Sequence, residues 1–187
     1  MFGDGNIAAF APDSSGRMLK KLLLGFGVVL SAAIAGIALH TALTKGDTVF
    51  AGKRPTNLGV ADSRLAPPKK SPNCVSSQAD PSDAEHYIAP LKFSGSPEAA
   101  IVTLRKVVEG AERTRVVKHE GAYLYAEYPS KLMGFVDDVE FYASAKDGVI
   151  HVRSASRLGR RDFGVNRERI ESLRARFTAA AGQSGAA

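Results

Sequence analysis

The hydrophobic pattern changes character three times along the chain. From 22 to 43 apolar residues run with no period, and the 22 residues hold no Asp, Glu, Lys or Arg, only His40 near the far end. A helix over that run covers about 33 Å at 1.5 Å per residue, enough for a bilayer core of ~30 Å. An amphipathic or core helix needs a polar face, and this run has none. Gly25, Gly27 and Gly36 are compatible, since glycine is common in membrane helices. Arg17, Lys20 and Lys21 precede the run closely. A short basic N-terminus directs residue 1 to the cytoplasm and the rest of the chain outward, although Lys45, Lys53 and Arg54 follow the run. A cleaved signal peptide is the rival reading, but its apolar region is usually shorter, and no Ala-x-Ala site follows.

After a proline-rich interval the period becomes helical. Ser96 fits an N-cap, Pro97 the first helical position, Glu98 the dipole and Gly110 the stop, so 94–110 reads as a helix. Ile101, Leu104 and Val108 form its buried stripe. The period then falls to two. Residues 113–119 and 122–128 read as strands joined at Glu120-Gly121, and 136–144 and 149–155 as strands joined at Lys146-Asp147-Gly148. A last helix is expected over about 167–180, with Asn166 as N-cap, Val165 and Ile170 as a hydrophobic staple, and Ile170, Leu173 and Phe177 facing inward. Helix, four antiparallel strands and helix predict an α+β domain of two layers, with both helices on one face of the sheet.

This divides the 187 residues into a disordered start (1–16), a transmembrane helix (17–44), a connector (45–53), one domain (54–180) and a frayed tail (181–187). The interval 54–89 carries Pro55, Pro67, Pro68, Pro72 and Pro81 and little periodicity. It is long for a loop in a compact domain, and is expected to be ordered and to pack on the sheet.

Period two sorts the polar residues. Asp137, Val139, Phe141 and Ala143 share a face with Ile150, Val152 and Ser154. Asp138, Glu140, His151 and Arg153 lie opposite, as a solvated, salt-bridged outer face. The sharper alternative is a polar site where the strand ends meet. Asp137 and Ser154 sit on the core side and need partners there, and Ser156, Arg157 and Asn166 are near enough to supply them.

Several motifs resemble a known family. Arg54-Pro-Thr-Asn-Leu-Gly, Ser71-Pro-Asn-Cys-Val-Ser-Ser-Gln, Gly134-Phe-Val-Asp-Asp-Val-Glu, Arg153-Ser-Ala-Ser-Arg and Gly164-Val-Asn-Arg occur in that order, over about 54–177. They are similar to domain-of-unknown-function family 1499, found in bacterial proteins and plastid proteins of plants. The resemblance implies a family and no established reaction. It also implies export, consistent with a periplasmic domain. Members often carry a second cysteine shortly before the Ser-Pro-Asn-Cys motif, where this chain has Pro68, so two-thiol chemistry does not carry over.

Charge and cysteine count narrow the function classes. The net charge is +6, and the stretch 157–176 carries seven arginines against Asp162, Glu168 and Glu171. Such a stretch can meet phosphates or anionic lipid, or form a solvated helix face with internal ion pairs, and without interleaved aromatics or a nucleic-acid motif no nucleic-acid partner is expected. A single cysteine excludes an internal disulfide and a Cys-rich zinc site.

Three kinds of chemistry remain. Cys74 with His86, oriented by Asp137 or Asp138, has the residue types of an activated nucleophile; the alternative is a small buried thiol. Cys74, His86, Asp137, Asp138 and Glu140 are metal-ligand types, but no local spacing fixes them, so no metal or cofactor is expected. Arg153, Arg157, Arg160 and Arg161, with Ser154 and Ser156, can fork onto a phosphate or carboxylate, or pair internally with Asp137, Asp138 and Glu140. The reading that follows is a single-pass protein of the inner membrane, held through 22–43, with its domain in the periplasm. Its domain is a non-enzymatic binding or assembly module centred on Asp137, Asp138, Glu140, Arg153, Ser154, Ser156 and Arg157. An anionic ligand or an envelope protein is the expected partner. The alternative is a thiol-dependent or metal-assisted hydrolase using Cys74 and His86.

Overall fold

The computed structural model describes residues 14–43 and 50–184. The chain divides into two units, Met1–Gly46 and Asp47–Ala187. In the first, α1 (Ser14–Leu43) forms where the apolar run predicts a helix, starting within the stretch expected to be disordered. Leu23, Leu24, Phe26, Val28, Val29, Leu30, Ile34 and Leu39 are all exposed. The side chains of 22, 37, 38 and 40–43 lie outside the described residues, and the uninterrupted described run, 23–36, spans only about 21 Å. Among the described residues no helix is long and apolar enough to cross a membrane, so the expected crossing is not shown. Residues 1–13, residue 44 at the end of the expected transmembrane helix, most of the expected connector (45–49) and the end of the expected tail (185–187) also lie outside the described residues.

The second unit is an α+β domain with a six-stranded sheet rather than four strands. Its elements are β1 (Cys74–Ser76), β2 (Leu91–Lys92), α2 (Pro97–Glu109), β3 (Arg115–Glu120), β4 (Tyr123–Pro129), β5 (Val136–Ser144), β6 (Val149–Ser156) and α3 (Val165–Ser184). β3 to β6 form the expected antiparallel meander, and β1 and β2 both pair antiparallel with the outer edge of β6. The two extra strands have three and two residues, too few to show a period of two. The interval 54–89 is therefore partly sheet.

Local chemistry explains most boundaries. Ser96 Oγ accepts from the Ala99 amide at the start of α2, and Pro97 occupies its first turn. The β5–β6 turn closes on Gly148 at φ 66°, a conformation that costs glycine nothing. The start of α3 corrects the expectation. Asp162, not Asn166, satisfies its first amides: Asp162 Oδ1 accepts from Gly164 N and Oδ2 from Asn166 N. The helix begins at Val165 and runs on to Ser184, into the expected tail. Val165 is exposed, so the staple with Ile170 does not form.

Both helices pack on one face of the sheet. Ile101, Leu104 and Val108 of α2 and Ile170, Leu173 and Phe177 of α3 join one core with Leu124, Ala126, Val139, Phe141, Ile150 and Val152. Register aligns these rows: Leu124, Phe141 and Val152 face one another across three strands, and Ala126 and Val139 lie beside Ser154. The opposite face is not solvated. The segment before β1 covers it, and Leu58 and Leu65 pack on Tyr123, Tyr125 and Tyr142. The charged residues expected on an outer surface are thereby enclosed.

Candidate functional site

The covered face carries two cross-strand rows of charge. Glu127 on β4 pairs in register with Arg115 on one side and Asp138 on the other. Tyr125, Glu140 and Arg153 form the next row. Glu127, Asp138, Glu140 and Arg153 are all at most 2% exposed. Buried charge is tolerated only when paired and hydrogen-bonded, and the bonds account for it except at Arg153, whose buried Nε has no hydrogen-bond partner.

Glu127 is held by three guanidinium groups. Arg54 reaches Oε1 with Nε at 2.8 Å and Nη2 at 2.5 Å. Arg115 forks onto Oε2, with Nε at 3.0 Å. Arg157 also bonds Oε1. Burial alone pushes the Glu127 carboxyl up, but the hydrogen bonds from Arg115, Arg54 and Arg157 outweigh it and hold the pKa at about 2. Arg157 also forks onto Asp138, with Nε at 3.0 Å from Oδ2 and Nη2 at 2.7 Å from Oδ1. Burial and the neighbouring carboxylate Asp138 push the Tyr125 phenol up, so its hydroxyl remains a donor, 2.6 Å from Asp138 and 3.0 Å from Glu127. Glu140 Oε1 accepts from Tyr123 Oη at 2.9 Å and from the Gly59 amide at 2.7 Å, and Arg153 Nη1 stands 3.2 Å from Oε2.

A second polar cluster lies under α3. Arg169 Nη2 donates to Asp137 Oδ2 at 2.6 Å, and its guanidinium stands 4.7 Å above the Tyr128 ring. Ser154 Oγ donates to Asn166 Oδ1. The Asn166 amide donates to Ser156 Oγ at 3.0 Å and to the Asn73 carbonyl at 3.1 Å. Asn166 thus ties α3 to β6 and to the residue before β1, a structural role other than the expected cap.

The seven expected site residues therefore form two clusters. Asp138, Glu140, Arg153 and Arg157 meet on the covered face, while Asp137, Ser154 and Ser156 meet beneath α3. The expectation of one polar centre fails because residues adjacent in a strand point to opposite faces. Glu127, Arg54, Arg115, Tyr123, Tyr125 and Arg169 are the members that sequence reasoning missed. One signal was available: Tyr123, Tyr125 and Glu127 alternate on one face, and two aromatics there speak for a cover rather than for solvent.

Cys74 and His86 are engaged separately. Cys74 is fully buried on β1, and burial pushes its thiol pKa up, the opposite of an activated nucleophile. His86 places Nδ1 2.8 Å from Asp83 Oδ2 and Nε2 3.3 Å from the Ser71 carbonyl, so both ring nitrogens are occupied by partners other than the thiol. Neither Asp137 nor Asp138 orients this ring. Among the described residues no group of three or more His, Cys, Asp or Glu side chains is arranged to hold a metal ion.

The geometry is that of a lock. Arg54 and the Gly59 amide come from the covering segment, and both end on carboxylates of the sheet. Arg54 and Arg115 are half-exposed, so an anionic ligand arriving there competes with Glu127 for them. No curated protein and no solved structure matches the chain. The family model described as "Protein of unknown function (DUF1499)" matches residues 64–177, from the covering segment through both polar clusters to the last helix, and the chain belongs to that family.

Proposed function

We propose that the protein is a non-enzymatic binding or assembly module, held at the inner membrane through α1 with its domain on the periplasmic side. The observation that carries the first half is the engagement of the charged groups. On the covered face carboxylates and guanidinium groups meet each other, and Cys74 and His86 are occupied apart. Catalysis by the charged groups of the covered face requires breaking a buried pair, which typically costs several kcal/mol. One polar cluster then serves to hold the covering segment on the sheet and the other to hold α3 against β6, and partners meet the outer surface.

The anchoring half rests on α1. Its described side chains from Leu23 to Leu30 are apolar or glycine and exposed, and an apolar helix with no polar face needs an apolar medium. The basic residues before the run favour an outward domain. The test is fractionation of cells carrying the full chain, followed by an alkaline carbonate wash and protease treatment of spheroplasts. The chain is expected to stay with the membrane through the wash and to be cleaved from outside. Release by carbonate would overturn the anchor, and protection in intact spheroplasts would overturn the orientation.

A further inference from the structure

One end of the sheet is apolar, basic and open. Three segments meet there: the start of the second unit, the β4–β5 turn and the chain leaving β6. The Phe50 ring lies 5.5 Å from that of Phe135. A Cβ built on Gly52 would come within 2.9 Å of Leu158, and the Arg157 amide bonds the Val136 carbonyl. On this end Leu132 and Phe163 are each 92% exposed, and Phe135 and Leu158 are partly exposed. Single exposed apolar residues need no explanation, but a group of them at one end does.

Phe163 adds an independent observation. Its φ is 54°, in the left-handed region that bulky residues avoid. Gly164 beside it also has positive φ. A glycine at 163 would adopt this backbone freely and expose no ring. A strained aromatic held out at a loop tip is a reason to look for function there.

The surrounding charge selects the partner. Lys53, Lys131, Arg160 and Arg161 are all exposed around these segments, against Asp162, whose carboxylate is engaged by the α3 amides. Apolar tips ringed by cations fit the interface of an anionic bilayer, where each base near the surface adds to attraction.

We propose that this end of the domain, led by Phe163 and Leu132 and ringed by Arg160, Arg161, Lys131 and Lys53, docks onto an anionic lipid surface. The inference rests on the membrane-held reading, which supplies the lipid surface. It adds that the domain lies against the lipid rather than hanging free of it.

The chain has no tryptophan, so one introduced indole reports its own surroundings. The full chain carrying Phe163→Trp is reconstituted into vesicles with and without anionic lipid, each with plain or brominated acyl chains. A second chain carries Val102→Trp on α2, a half-exposed site away from this end. Flotation shows in each case whether the chain is vesicle-bound. The Phe163→Trp emission is expected to move to the blue and to be quenched by brominated lipid, more in anionic vesicles, while the Val102→Trp emission is not quenched. Adding Arg160→Glu and Arg161→Glu should weaken the quenching without releasing the chain. A chain that floats while its Phe163→Trp emission stays unquenched overturns this inference and leaves the anchor intact. A chain that does not float overturns both. Equal quenching in neutral vesicles removes the anionic requirement and overturns the proposal as stated. A blue shift without quenching that grows with protein concentration gives the surface to a second copy of the chain, and also overturns it.

Discussion

Glu127→Gln is the sharpest probe of the covered face. The substitution keeps the size of the side chain and removes only its charge, leaving Arg54, Arg115 and Arg157 around a neutral amide. A carboxyl that ionises at about 2 in the folded domain and at 4.5 in the unfolded chain stabilises folding by about 3 kcal/mol at neutral pH. Removing one partner of a buried pair typically costs 3–5 kcal/mol. Arg54 and Arg115 are half-exposed and regain water when the charge goes, so the lower figure applies. Because the folded pKa is depressed, the stabilisation is fully present above about pH 4.5 and is lost as pH falls through about 2. The assay is urea unfolding of the full chain in mild detergent, for wild type and Glu127→Gln, at pH 7 and at stepped pH values down to 2. The variant is expected to lose about 3 kcal/mol at pH 7, roughly 10 °C in Tm for a domain of this size. The difference should shrink toward zero near pH 2. A loss below about 1 kcal/mol at pH 7, the range of exposed ion pairs, refutes the reasoning, and so does a difference that ignores pH.

Two further outcomes test the same account from other sides. Cys74, the single cysteine, is buried with its thiol pKa pushed up by burial, so its alkylation at neutral pH should be slow in the folded chain and become fast in denaturant; rapid reaction under native conditions would restore the nucleophile reading. Arg153→Ala strips the facing guanidinium from buried Glu140 and should cost about 3–5 kcal/mol in urea unfolding, whereas Arg105→Ala breaks the exposed pair with Glu109 on α2 and an exposed contact with His119 and should cost under about 1 kcal/mol. Equal losses in the two variants would mean that burial does not set the strength of these pairs.

Sequence by itself determined the elements whose signal is local. The meander, the turn at Gly148, the start of α2 at Ser96 and Pro97, and the inward rows of both helices follow from periodicity and capping, which depend on neighbours a few residues apart. The two faces of β5 and β6 were legible for the same reason, since side chains on a strand alternate. The family was legible because its motifs stand in order along the chain.

Only the tertiary structure decided what those faces meet. A row such as Asp138, Glu140 and Arg153 reads identically whether water or protein lies above it. The covering segment reaches it through the Gly59 amide and reaches the neighbouring Glu127 through Arg54, contacts that have no sequence period. The partner of Asp137 is likewise invisible locally, because Arg169 comes from a helix 32 residues away. β1 and β2 are too short to announce themselves and exist because the free edge of β6 offers them backbone partners. Asn166 has the chemistry of a cap, but Asp162 reaches the helix amides first, and the packing of α3 against β6 turns the Asn166 amide inward. Secondary structure here is a short-range property and was readable. Burial of charge depends on pairs far apart in the chain and became visible only when the chain was folded.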